Sequence, residues 1–221
     1  MQIDIVSDTI CPWCFIGKRR LERALDQRAD IDFQVHWRPY RLDPTIPREG
    51  VERKAHMRAK FGGGPDVAQR GEAIRLMGEG ENIAFDFSRI ARTPNTTDSH
   101  RLIRWAGTAG VQNTIVETLF SAYFEEGRDI GDPAILEWIA AQAGMDSDLV
   151  RELLSQDVDR ELVEREDALA RRMGIQGVPA FIFANKYLVS GAQDPATLTK
   201  IIDKVADETL ADDQETQESA L

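Results

Sequence analysis

Cysteine is scarce in this sequence, with two among 221 residues, Cys11 and Cys14. That scarcity excludes a disulfide-stapled secreted scaffold and a four-thiolate zinc site. Histidine is hardly more common. His36, His56 and His100 are scattered, and no spacing joins a pair of them to the thiols as metal ligands, so no metal is expected. No apolar run approaches the ~20 residues that a membrane helix needs. Met1 leads almost directly into Ile3-Asp4-Ile5-Val6, with no basic start or apolar leader, so a secretory signal is not expected and a cytoplasmic location is. Basic residues are outnumbered, 27 to 38, for a net charge of -11. That balance argues against nucleic acid and anionic membrane as partners. Internal repeats are lacking too, and Gly62-Gly63-Gly64 is not followed by the Lys-Ser/Thr spacing of a phosphate cradle, which leaves a plain loop.

What is present describes a soluble globular chain, with 42% hydrophobic and 29% charged residues. The length suits one large domain or one domain carrying an insertion. The last 19 residues hold seven acids and a single base, Lys204, and so account for more than half of the net charge. Residues 211–221 are expected to form a disordered acidic tail, because they lack the aromatic and β-branched apolar residues that would bury surface.

Periodicity gives the order of elements. Gln2 to Val6 reads as a strand, and Ile31 to Trp37 as a second, half-buried one with Phe33, Val35 and Trp37 alternating against polar residues. Between them Phe15 to Gln27 carries a helical apolar stripe, and Pro12 suits the first helical turn. Pro39, Pro44 and Pro47 then interrupt regular structure. From about Val51 to Met173 the pattern is helical, with capping residues at Asp132 and Asp146. Strand signals return at Ala180 to Phe183 and Tyr187 to Val189 as a hairpin around Ala184-Asn185-Lys186, and Asp194-Pro195 opens a last helix. The sequence therefore predicts an α/β sheet domain, residues 1–48 with 172–210, interrupted by an all-helical insertion over 49–171. Trp37, Trp105 and Trp138 lie on periodic segments and read as core.

Cys11-Pro12-Trp13-Cys14 falls after a predicted strand and opens a helix. A disulfide at this spacing closes too small a loop to stabilise much through chain entropy, which points to a chemical use. The helix N-terminus, with its unpaired N–H groups and partial positive charge, favours the thiolate of Cys11. Cys14, one turn further in, is the less exposed partner. Cys11 would attack a substrate disulfide and Cys14 would resolve the mixed disulfide. Far along the chain, Gly177-Val178-Pro179-Ala180 sets a proline at the first residue of an apolar strand, a place for a strand start, an edge or a cis bend.

Together with Asn95-Thr96, His100-Arg101-Leu102, Phe181 and Ser190-Gly191-Ala192-Gln193, these motifs resemble the thioredoxin superfamily. Within it they resemble the DsbA-like branch with a helical insertion, and FrnE-like proteins in particular. The resemblance spans nearly the whole chain. It implies a thioredoxin-like fold and a cytoplasmic protein-disulfide oxidoreductase acting as reductase or isomerase on protein or small-molecule disulfides and thiols. No cofactor is implied beyond glutathione as a redox partner. It also implies that Pro179 is cis and lies against the cysteines, that the Val178 backbone pairs with an extended substrate, and that Pro12 and Trp13 border the substrate. Trp13 reads equally as an exposed platform or as packed on the helical block.

The sequence departs from the resemblance in three places. Ile5 stands where many relatives carry a buried acid six residues before the first cysteine. Asp8 is the nearest acid, either a proton-transfer substitute or a turn and cap residue. The Pro-Trp dipeptide lacks the histidine of strong oxidants, and no further cysteines offer a relay. His100 is the other candidate modulator, a cation facing the groove or a structural histidine. Two alternatives stand beside the oxidoreductase. One is a glutathione-dependent isomerase or transferase of the kappa-class and 2-hydroxychromene-2-carboxylate isomerase type. The other is a peptide-binding chaperone module.

Overall fold

The computed structural model of the chain describes residues 1–62 and 64–218. A four-stranded sheet runs in the order β2-β1-β5-β6, where β1 is Gln2–Ser7, β2 Gln34–Pro39, β5 Ala180–Phe183 and β6 Tyr187–Ser190. β1 pairs in parallel with β2 and antiparallel with β5, and β5 pairs antiparallel with β6. The parallel pair is joined by helix α1, Pro12–Asp26, as a parallel connection requires. β1 is buried on both faces. Ile3 and Ile5 join the main core, whereas Val6 joins Tyr40, Ala170, Ile175 and Ala180 beneath the other face.

Between β2 and β5 the chain forms a two-stranded ribbon, β3 (Val51–Glu52) and β4 (Arg92–Thr93), with α2 (Arg53–Phe61) and α3 (Pro65–Glu79) between its strands. Helices α4 (Thr97–Thr108), α5 (Gln112–Phe124), α6 (Pro133–Gln142), α7 (Ser147–Ser155) and α8 (Arg160–Arg172) follow, and α9 (Pro195–Glu218) closes the chain. The Asp132 carboxylate accepts from Ala134 N–H at the start of α6, and Asp146 from Asp148 and Leu149 at the start of α7. α4, α5 and α8 pack on β2. Phe15 of α1 stacks on Phe120 of α5 at 5.1 Å and meets Phe85 edge-on at 6.0 Å, so sheet and helical block share one core.

The structure corrects some boundaries. β2 begins at Gln34 rather than Ile31 because its partner β1 begins only at Gln2, which is in register with Gln34. Pro39 ends β2 instead of lying beyond it, which an edge strand tolerates because no ladder donor is needed there. The ribbon of β3 and β4 escapes prediction, since two-residue strands leave no periodicity to read. Helix α9 continues through residues 211–218, where a disordered tail is expected; Ala, Glu and Gln are good helix formers and extend a helix already nucleated against α1. Residues 219–221 of that expected tail, and Gly63 of the glycine loop, lie outside the described residues. Gly62 ends α2 with a φ of 80°, a backbone conformation that favours glycine.

Candidate active site

The loop from β1 into α1 carries both thiols. Cys11 is the N-cap of α1, in extended conformation, and its N–H donates to the Asp8 carbonyl at 3.0 Å. Pro12 takes the first helical position, and Cys14 N–H donates to the Cys11 carbonyl at 3.0 Å. The two cysteines thus share the first turn as free thiols, 3% and 1% exposed. Burial pushes the Cys14 thiol well above its ordinary range, and the hydrogen bond with Cys11 and the Cys11 charge push it further. The Ser7 hydroxyl and the Asp8 backbone pull the other way.

Val178 and Pro179 close over this turn. The Val178–Pro179 peptide bond is cis, and the Val178 carbonyl lies 3.5 Å from Cys11 Sγ. Pro179 is buried and its carbonyl accepts from Gly191 N–H at 2.8 Å. The approach depends on Gly17: a methyl group there would sit 2.9 Å from Pro179 Cγ and 3.2 Å from Phe181 Cζ. Only a residue without a side chain lets α1 pass so close. Trp13 is half-buried and packs against the main core.

Asp8 and His100 are brought together. Asp8 is fully buried; its Oδ2 accepts from Leu42 N–H at 2.7 Å, while Oδ1 has no hydrogen-bond partner and lies 3.4 Å from His100 Nε2. The same His100 nitrogen is 3.2 Å from the Tyr40 carbonyl, which makes it the N–H donor of the ring. Asp8 therefore ties the loop after β2 to the cysteine turn and faces a histidine. It does not cap α1, whose N-terminus has no side-chain cap.

The residues around His100 are a buried joint. Ser99 Oγ is 2.8 Å from Thr9 Oγ1, and Asn95 Nδ2 donates to the Ile46 carbonyl at 2.7 Å. Arg101 is fully buried and donates to Asp98 and to the carbonyls of Leu153, Gln156 and Val158. Sequence reasoning overlooked Ser7 and Gly17 as parts of the site. Their signals are a hydroxyl ending an apolar strand and a glycine inside a helix.

With this geometry in view, the chain belongs to the DSBA-like thioredoxin domain family, whose model matches residues 2–203. It has the DsbA-like thioredoxin fold with a helical insertion. A probable DsbA oxidoreductase from Streptomyces coelicolor has a similar structure, at a TM-score of 0.87 and 27% identity, covering 94% of this chain and 91% of the other. The cytosolic disulfide reductase DsbM of Pseudomonas aeruginosa, solved with GSH, shares the fold at a TM-score of 0.63 and 15% identity over 92% of this chain and 98% of its own. Among sequences, an uncharacterized Bacillus subtilis protein, YwbO, is 25% identical over 196 residues, 87% of this chain and 91% of its own. Among the described residues no helix is long and apolar enough to cross a membrane.

Proposed function

We propose that the protein is a thiol–disulfide oxidoreductase working in the reducing or isomerising direction through Cys11 and Cys14. The observation that carries this reading is the asymmetry of the pair. Cys11 stands at the mouth of a helix N-terminus, beside the Val178 carbonyl, while burial and Cys11 itself keep Cys14 protonated. Cys11 attacks a substrate disulfide, forming a bond to one substrate sulfur and releasing the other as a thiolate. Cys14 then loses its proton and attacks the Cys11 sulfur. The Cys11–Cys14 disulfide forms, the second substrate thiol leaves, and the substrate has gained two electrons. The backbone of Val178 offers an edge for an extended substrate, bordered by Pro12, Trp13 and Pro179. A glutathione-type thiol suits the return of the pair to the dithiol. The fold shared with a reductase solved with GSH supports that partner and a reducing, cytoplasmic compartment.

Reduction of insulin by dithiothreitol tests the proposal. Wild type should accelerate precipitation of the insulin chains. Cys11→Ser should not, and Cys14→Ser should accumulate a mixed disulfide visible by mass. Equal rates for wild type and Cys11→Ser would overturn it. Glutathione-dependent isomerisation that survives Cys11→Ser would favour the isomerase alternative, and holdase activity surviving the double substitution would favour the chaperone one.

A further inference from the structure

Helix α1 carries more than the thiols toward Pro179. Gly17, Arg20 and Arg23 follow at three-residue spacing, so each is the surface neighbour of the next. A methyl group at Gly17 would meet Pro179 and Phe181 and would also lie 3.5 Å from Ala192 Cβ. One turn on, Arg20 joins two acceptors from distant parts of the chain. Its Nη1 donates to the Ala192 carbonyl at 2.7 Å, and its Nε donates to Glu81 Oε1 at 2.7 Å. Glu81, just past the end of α3, is buried, and its other oxygen accepts from Arg23 Nη1 at 2.8 Å. The planar guanidinium of Arg20 thus serves two fixed acceptors at once, which suits arginine and not lysine.

Ala192 belongs to the loop that leads from β6 into α9 and backs the cis proline. Gly191 N–H in that loop donates to the Pro179 carbonyl at 2.8 Å. Gln193 N–H returns to the Gly191 carbonyl at 2.9 Å, and the Gln193 side-chain amide donates to the Ser190 carbonyl at 2.7 Å. These last two bonds stay local. Among the described residues, the bond from Arg20 is therefore the side-chain hydrogen bond that fixes residues 191–193 to a separate element.

Resting on the oxidoreductase reading above, we infer that Arg20 is a positioning residue for extended disulfide substrates. Glu81 holds the guanidinium, the guanidinium holds the Ala192 carbonyl, and the loop so held keeps Val178 and Pro179 in place beside Cys11. The segment between β2 and β5, which supplies Glu81, thereby sets the position of a wall that the sheet provides. A peptide that pairs with the Val178 backbone depends on that wall, since a misplacement of about 1 Å is enough to spoil a bound geometry. A small aromatic disulfide needs only the Cys11 thiolate and does not depend on it.

The test compares two substrates that release the same aromatic thiol on attack by Cys11 of the reduced protein. One is a symmetrical aromatic disulfide, and the other is an extended peptide whose cysteine carries the aromatic thiol as a mixed disulfide. In Arg20→Ala the half-saturating concentration of the peptide should rise about fivefold or more, with the maximal rate and the small-disulfide rate within about twofold of wild type. Glu81→Gln, a milder change that weakens the grip on Arg20, should raise it about two- to threefold, and the double variant should do no more than Arg20→Ala alone. Arg23→Ala is the control, because Arg23 shares Glu81 but makes no bond to the loop, and it should leave both substrates unchanged. Wild-type saturation by the peptide in Arg20→Ala or Glu81→Gln, equal slowing of both substrates, or a peptide defect in Arg23→Ala as large as in Arg20→Ala would overturn the inference. No release from either substrate by wild type would instead overturn the oxidoreductase reading beneath it.

Discussion

Arg101 and His100 sit side by side on α4, both buried, and the protein treats them in opposite ways. Arg101 reaches Asp98 and three main-chain carbonyls around the end of α7, so its guanidinium is met on every side. His100, one residue earlier, turns toward Asp8, whose Oδ1 is buried without a hydrogen bond. A saturated buried ion is a structural tie, since each partner offsets part of its desolvation. An under-saturated one is costly to keep, and groups of that kind collect at functional sites. The contrast divides the joint between α4 and the cysteine turn into a part saturated with partners and a part left under-saturated.

The division breaks first at Arg101. Arg101→Ala should cost about 3–5 kcal/mol in a denaturant titration, because three carbonyls and part of Asp98 lose a buried partner. Thiol–disulfide oxidoreductase activity per folded molecule should stay near wild type. Arg101→Lys should recover only part of the loss, since one ammonium cannot reproduce the planar fork. If Arg101→Ala unfolds no more easily than wild type, the structural side of the comparison falls.

Gly17 probes the other side. Gly17→Val should cost about 1–3 kcal/mol, as overpacked sites do. It should also depress the rate of Cys11 with disulfides, because the strain falls on Pro179 and Phe181. A smaller effect belongs to pH. The folded-state affinity of Cys14 for its proton is raised above that of the unfolded chain, so its contribution to the stability of the reduced protein is fully present below the ordinary thiol range, near pH ~8.5. It is lost as pH rises through the folded value. The melting temperature of reduced wild type should therefore fall faster than that of Cys14→Ala in mildly alkaline buffer. Parallel curves would contradict the burial argument.

How much of this was open to reading from the chain depends on distance along it. The order of strands and helices, the hairpin at Ala184-Asn185-Lys186, the caps at Asp132 and Asp146, and the placing of both thiols at a helix start are local, carried by periodicity and turn chemistry within a few residues. The β3–β4 ribbon left no pattern because each strand is two residues long. Asp8 and His100 could each be singled out, but nothing in their own neighbourhoods says that they meet, and Thr9 with Ser99 is the same case. Ser7 and Gly17 were hidden for another reason. Their importance lies in what stands opposite, the Cys14 thiol for one, Pro179 and Phe181 for the other, and a serine or glycine looks ordinary until the fold supplies that neighbour.

The smallest expected change sharpens the comparison most. In Asp8→Asn the amide oxygen can keep the hydrogen bond from Leu42 N–H, and a buried charge is exchanged for a neutral group of the same shape. Replacing an incompletely paired buried ion in this way is often close to neutral, so stability should move by less than about 1 kcal/mol. Function should move more. The carboxylate lies at the base of the turn that holds both thiols, and its negative charge disfavours a thiolate nearby. Without it the dithiol form gains, and the Cys11–Cys14 pair equilibrated against a glutathione series should shift toward reduction, making the protein a weaker reductant. Arg101→Ala should leave that equilibrium alone while lowering stability. If Asp8→Asn instead unfolds the protein as readily as Arg101→Ala and leaves the redox equilibrium unmoved, Asp8 and His100 are a second structural tie, and the contrast on α4 disappears.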